Sequence, residues 1–241
     1  MAKLNPVFSG IRVEEGINTA ASVKGVAGKT LFLLGIAVLS AMLSIMYADV
    51  VISGYFIIVL GALICGIAGQ LSARAAQVCS IIYAVCEGAM LGLISFLFDA
   101  AFSGIVMSAV LITVTIFGVM LFLYSSNIIK VTRRFMRVMS GIGLTLCIVS
   151  LVYLISYLIN PYNVLVSALA NNTGLVLLIS ALVLIYGAFM LAMDFEQVKS
   201  IVANGFDKRY EWMAALGLMV TLIWIYIEVL RILAILASRL D

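Results

Sequence analysis

The sequence predicts an all-α polytopic membrane protein, a bundle of seven transmembrane helices. Three observations lead there. The 241 residues are 65% hydrophobic and only 10% charged, against roughly 45–50% apolar and about 25% charged in soluble domains. Polar breaks divide the chain into apolar runs of the ~20 residues that a helix needs to cross a bilayer. Basic residues fall almost wholly on alternate breaks. Between them, these features leave no room for a soluble catalytic domain.

The elements follow in order. Residues 1–28 carry Lys3, Arg12, Glu14, Glu15 and Lys24 before any long apolar run. Signal peptides place that run much earlier, so this segment reads as an uncleaved cytoplasmic tail and residues 29–241 as the membrane domain. The predicted spans are 30–48, 52–72, 76–98, 103–124, 138–159, 174–200 and 210–237. Asp49 closes the first, Arg74 the second and Asp99 the third. The cluster Lys130, Arg133, Arg134, Arg137 follows the fourth. Asn160, Pro161, Tyr162 and Asn163 end the fifth, and Asn171 and Asn172 precede the sixth. Lys199, Lys208 and Arg209 surround the break before the last.

Twelve of the fourteen Lys and Arg then lie on the tail and the even-numbered loops, and none on the odd-numbered loops. Lysine and arginine mark the cytoplasmic side. The N-terminus is therefore expected inside and, after seven spans, the C-terminus outside. Arg231 and Arg239 are the two exceptions.

Small residues at four-residue spacing let helices approach closely in lipid. Gly61, Cys65 and Gly69 form one such seam, Gly88 and Gly92 another, and both read as packing within the bundle. Cys65, Cys79, Cys86 and Cys147 all lie in apolar runs without a Cys-x-x-Cys pair, so they read as small packing residues. There is no histidine, which removes the commonest metal ligand and the usual switch near neutral pH. Gly-x-Ser-x-Gly and His-Glu-x-x-His are absent too, so an enzyme is not expected.

The acids inside the apolar runs carry the chemistry. Intramembrane carboxylates are costly and face partners or water-filled cavities. Glu87 shares a helical face with Ser80 and Tyr83, and Glu228 with Thr221, Trp224 and Arg231. Glu228 and Arg231 can neutralise one another at i, i+3 spacing, or Arg231 can reach the outer interface. At 1.5 Å rise per residue, Asp194 sits roughly 12 Å above the inner end of its span, Glu87 and Thr221 about 16 Å and Glu228 about 27 Å. The acids thus fall on two levels of one polar path. Glu211 and Trp212 read as an ordinary helix start, with an acid in the first turn and Trp at the interface.

Four segments together resemble the bacterial YccA-like branch of the Bax inhibitor-1 family, also called the transmembrane Bax inhibitor motif family. They are Asn5–Val7, Tyr83–Gly92, Met193–Glu196, and Glu211–Trp212 through Ile225–Leu233. The resemblance implies seven helices with the last near the centre, in a bacterial cytoplasmic membrane. It implies a pH-sensitive calcium leak in which two aspartates, one on each of the last two helices, share a proton and act as a latch. An arginine near the inner end of the second helix would exchange partners with them, and Arg74 is the candidate.

Asp194 matches the first aspartate. The second does not carry over. Aligning on the closing Leu230-Arg231 puts Thr221 at its position, whereas aligning on Ile225-Tyr226-Ile227-Glu228 puts Glu228 there. Depth favours Thr221.

The leading expectation is a cation leak, with calcium transiently meeting oxygens of Asp194 and Glu87, gated by carboxylate protonation. Asp194, Glu87, Glu228 and Thr221 would line the path, and Arg231, Arg74 and Tyr83 would serve as partners. No resident cofactor, no nucleic acid and a monomer in the bilayer are expected. The alternative is an interaction protein that modulates a membrane protease or stress pathway through its tail.

Overall fold

The computed structural model describes residues 20–160, 163, 167 and 172–239. Most of the predicted tail, together with Pro161, Tyr162 and Asn171, lies outside them. Among the described residues there are eight helices: α1 Val23–Met46, α2 Ala48–Ser53, α3 Tyr55–Leu71, α4 Ala76–Ala101, α5 Ile105–Ser125, α6 Arg133–Ile159, α7 Thr173–Ala203 and α8 Tyr210–Ala237. Six of them, α1 and α4 to α8, are long and apolar enough to cross a membrane, and α3 is a shorter apolar helix.

The second predicted span is where sequence and structure differ most. The chain breaks at Tyr47 (φ −116°, ψ 39°), close to the break that Asp49 predicts, but it then makes the short α2 and breaks again at Gly54, so the second apolar run begins only at Tyr55. Asp49 lies in the first turn of α2 instead of marking the end of a helix. The Ser53 hydroxyl donates back to the carbonyls of Asp49 (2.8 Å) and Val50 (3.0 Å), a local bond that competes with helix continuation.

Helix starts follow ordinary capping. Ser22, Thr132 and Asn172 each accept a backbone N–H three residues on, from Gly25, Phe135 and Leu175, which satisfies donors that the first turn leaves open. Gly104 (φ 81°) makes the tight α4–α5 connection, where its N–H is held by the Asp99 carboxylate at 3.0 Å.

Side-chain pairings set the directions. Lys29 meets Glu211, so α1 and α8 start at the same end. Gly88 faces Ala37 and Gly92 faces Ala41, so α1 and α4 run parallel. Gly61 meets Cys86 while Gly69 meets Cys79, so α3 and α4 are antiparallel. Gly187 against Ile225 and Gly217 near Asp194 make α7 and α8 antiparallel. One end of the bundle therefore gathers the starts of α1, α4 and α8 and the ends of α3 and α7. This is called the basic end below, because Arg74, Lys199, Lys208 and Arg209 lie there.

Helix α8 is the hub. It packs against α1, α3, α4, α5 and α7, and more than half of its most apolar stretch is buried. Leu216, Met219, Ile225 and Leu230 are among the most deeply buried side chains. In lipid, apolar surface alone does not drive helices together, so close backbone approach does. The α1–α4 seam shows this: a Cβ on Gly88 or Gly92 would collide with the α1 backbone. Helix α6 is the opposite case. Of its own residues only Met139 is buried, and among the described helices it packs on α7.

Candidate functional site

Asp194 lies two and a half turns before the end of α7, where α7, α8 and the end of α3 converge. Its Oδ2 is shielded from solvent and makes no hydrogen bond among the described residues. Its Oδ1 and the Gln70 amide nitrogen both lie near the α carbon of Gly217, 3.8 Å and 3.3 Å from where a β carbon would stand. Glycine at 217 thus leaves room for both polar groups against α8. One turn on, the Thr221 hydroxyl faces Asp194 and also reaches the Gly217 carbonyl at 3.2 Å. A hydroxyl has one proton to donate, so these two acceptors compete for it.

Beside this junction is a groove of about 500 Å³ between α3, α4 and α8, lined by Gly66, Gln70, Tyr83, Glu87, Met90 and Val220 among others. It opens on the flank of α3 where Leu63, Ile67 and Leu71 are exposed. The Tyr83 ring lies over Gly66, 3.2 Å from where a β carbon would be, and its phenol faces the Glu87 carboxylate one turn on. Gln70 lines the groove and also touches the Asp194 neighbourhood, so it joins the two. Glu87, Tyr83, Gln70, Asp194 and Thr221 therefore form one polar seam through an otherwise apolar bundle.

Glu228 is not on that seam. It is 4% exposed and paired with Arg231, Nη1 to Oε1 3.1 Å. The Ser180 hydroxyl of α7 is buried and faces it. Of the two readings open for Glu228, the structure shows the ion pair. Arg231 is half exposed, consistent with a head reaching toward the far end of the bundle. Arg74 is exposed in the α3–α4 turn and makes no ion pair among the described residues. Among those residues no three His, Cys, Asp or Glu converge to hold a metal, so Asp194 and Glu87 form no ready-made calcium cage.

Two residues matter more than the sequence suggests. Nothing local marks Gln70, since a single amide in the last turn of an apolar helix is indistinguishable from an interfacial one. Glu211 does stand in the first turn of α8, as the sequence predicts, but it does more than start a helix. Its side chain is 1% exposed. It accepts from Lys29 Nζ at 2.6 Å, from the Ser22 backbone N–H at 2.8 Å and from the Ser22 hydroxyl at 3.2 Å. Lys29 also donates to the Lys208 carbonyl at 3.2 Å and sits 5.0 Å from the centre of the Trp212 ring. A β carbon on Gly25 would run into the Glu211 carboxylate, so only glycine lets the first turn of α1 come this close. A backbone bond from Ala21 N–H to the Phe206 carbonyl, 2.8 Å, completes the clasp.

These features define an integral membrane protein built around its last helix, with carboxylates inside the bundle. The chain belongs to the Bax inhibitor 1 like family, which matches residues 5–238. No curated protein and no solved structure matches it.

Proposed function

We propose that the protein is a pH-sensitive cation leak, with calcium as the permeant ion, gated by protonation of Asp194 and Glu87. One observation carries the reading: among the described residues, a shielded carboxylate oxygen of Asp194 has no hydrogen bond, at a junction of three helices that adjoins a groove. A buried carboxylate oxygen left without a hydrogen bond is unfavourable. A proton or a passing cation supplies what is missing. Protonation turns an acceptor into a donor and removes a charge from the seam, so pH alters what a cation meets there. Hard cations take oxygen ligands, and Thr221, Gln70, Tyr83 and the two acids offer them in sequence along the seam.

The basic end would face the cytoplasm, in keeping with the distribution of lysine and arginine. With Thr221 opposite Asp194, the latch between the last two helices would be one carboxylate and a hydroxyl, where the family resemblance implies two aspartates, and Glu87 would be the second acid that titrates.

The test is calcium entry into liposomes across a range of pH. Wild type should pass calcium in a pH-dependent manner, and Asp194→Asn or Glu87→Gln should alter that dependence. Equal fluxes from protein-containing and empty vesicles would defeat the proposal. Deleting residues 1–19 should leave the flux intact, which separates transport from the interaction reading.

A further inference from the structure

A second polar cavity lies apart from the seam. It has a volume of about 420 Å³ and sits at the basic end between the end of α5, the connection to α6 and the last turns of α7. Asn127, in the left-handed region at φ 55°, turns the chain out of α5, with the Ile128 N–H bonded back to the Leu123 carbonyl at 3.0 Å. That turn brings Lys130 to the cavity wall, and α7 supplies Lys199 and Glu196. Neither lysine has an ion pair among the described residues. Glu196 accepts the Tyr124 hydroxyl at 2.6 Å, which fixes the carboxylate on the wall. Arg133, Arg134 and Arg137, all exposed, follow within the first two turns of α6.

Helices α5 and α6 are consecutive and both rest on α7, yet their backbones stay more than 8 Å apart. Helix α6 is held to α7 by few contacts: Phe135 on Phe189, centroids 5.8 Å apart, and the Tyr186 hydroxyl donating to the Met139 carbonyl at 3.3 Å. Both helices expose apolar side chains, Phe122 on α5 and Val138 and Ile142 on α6 among them, and in a bilayer acyl chains cover such faces.

We propose that this cavity binds the headgroup of an anionic phospholipid from the adjacent leaflet, its chains lying between α5 and α6. Lys130 and Lys199 hold the phosphate. Glu196 and Asn127 accept from headgroup hydroxyls, and the two lysines against one carboxylate leave the cavity net positive, which favours a net-anionic glycerol headgroup over zwitterionic choline. Basic cavities between helices at a membrane surface suit such lipids. The site is independent of the leak.

The experiment uses the full chain in nanodiscs of equal phosphatidylglycerol and phosphatidylcholine, extracted in mild detergent, with retained lipid counted by mass spectrometry. Wild type should retain phosphatidylglycerol selectively. Lys130→Gln with Lys199→Gln should retain it about 30-fold less tightly, each lysine contributing on the order of five-fold. Lys130→Arg with Lys199→Arg should restore it, and Lys24→Gln with Lys208→Gln, an equal charge loss at the same end, should leave it unchanged. Retention of both lipids alike by wild type would overturn the proposal whatever the variants do. So would equal loss in the control pair, or displacement of the lipid by soluble glycerol phosphate, which would make this a site for a free phosphate ester.

Discussion

Thr221 has one hydroxyl proton and two acceptors within reach, the Gly217 carbonyl and Asp194. At the residue scale, this makes position 221 the most informative one to change. Thr221→Asp would set a second carboxylate against Asp194, and like charges at close range titrate as a coupled pair. The expected outcome is a calcium flux whose pH profile gains a second step, measured on the same liposomes as wild type. The Glu228–Arg231 pair predicts the reverse. Glu228→Gln should destabilise the protein while leaving the pH profile of flux in place, because Glu228 lies off the seam. The pairing of these two was legible in the sequence, since i, i+3 spacing on one helix needs no tertiary information. The roles of Gln70 and Glu211 were not. Glu211 meets Lys29 across 182 positions, and nothing local distinguishes an acid buried by a distant helix from one that merely suits a first turn. Replacing Glu211 by Gln should lower stability by about 3 kcal/mol, the low end for a broken buried ion pair because Lys29 stays partly exposed. Thermal unfolding in detergent reads that loss.

Among the elements, glycine position decides which contacts tolerate change. A β carbon at Gly88 meets the α1 backbone at Ala37, whereas one at Gly118 meets nothing within 4 Å. Gly88→Ala should therefore push α1 and α4 apart, at about 1–3 kcal/mol for overpacking. Gly118→Ala should be neutral or stabilising by up to about 1 kcal/mol from helix propensity. Unfolding midpoints of the two variants, side by side, check the contrast. The Gly88–Gly92 seam was visible as a spacing, but its partner helix was not: four-residue periodicity marks a close-packed face without saying which helix lies against it. The break after α1 was legible from Asp49, but the short α2 and the second break at Gly54 were hidden. They come from backbone angles and the Ser53 back-bonds, which an apolar count does not register.

At the scale of the whole molecule, the bundle wraps a buried last helix and threads a polar seam along one side of it. The order of the apolar runs was legible because lipid imposes a length on every crossing; six of the seven return as helices long enough to cross, and α3 as a shorter apolar one. The centrality of α8 came from family resemblance, since its composition matches that of its neighbours. The central claim is that Asp194 exchanges a proton in step with ion passage. The most direct measurement is infrared difference spectroscopy of the reconstituted protein across pH, run beside calcium flux on the same preparation. The account predicts a protonated-carboxyl band that rises and falls with the flux and is missing in Asp194→Asn. A flux that follows pH while the Asp194 band stays constant would contradict it.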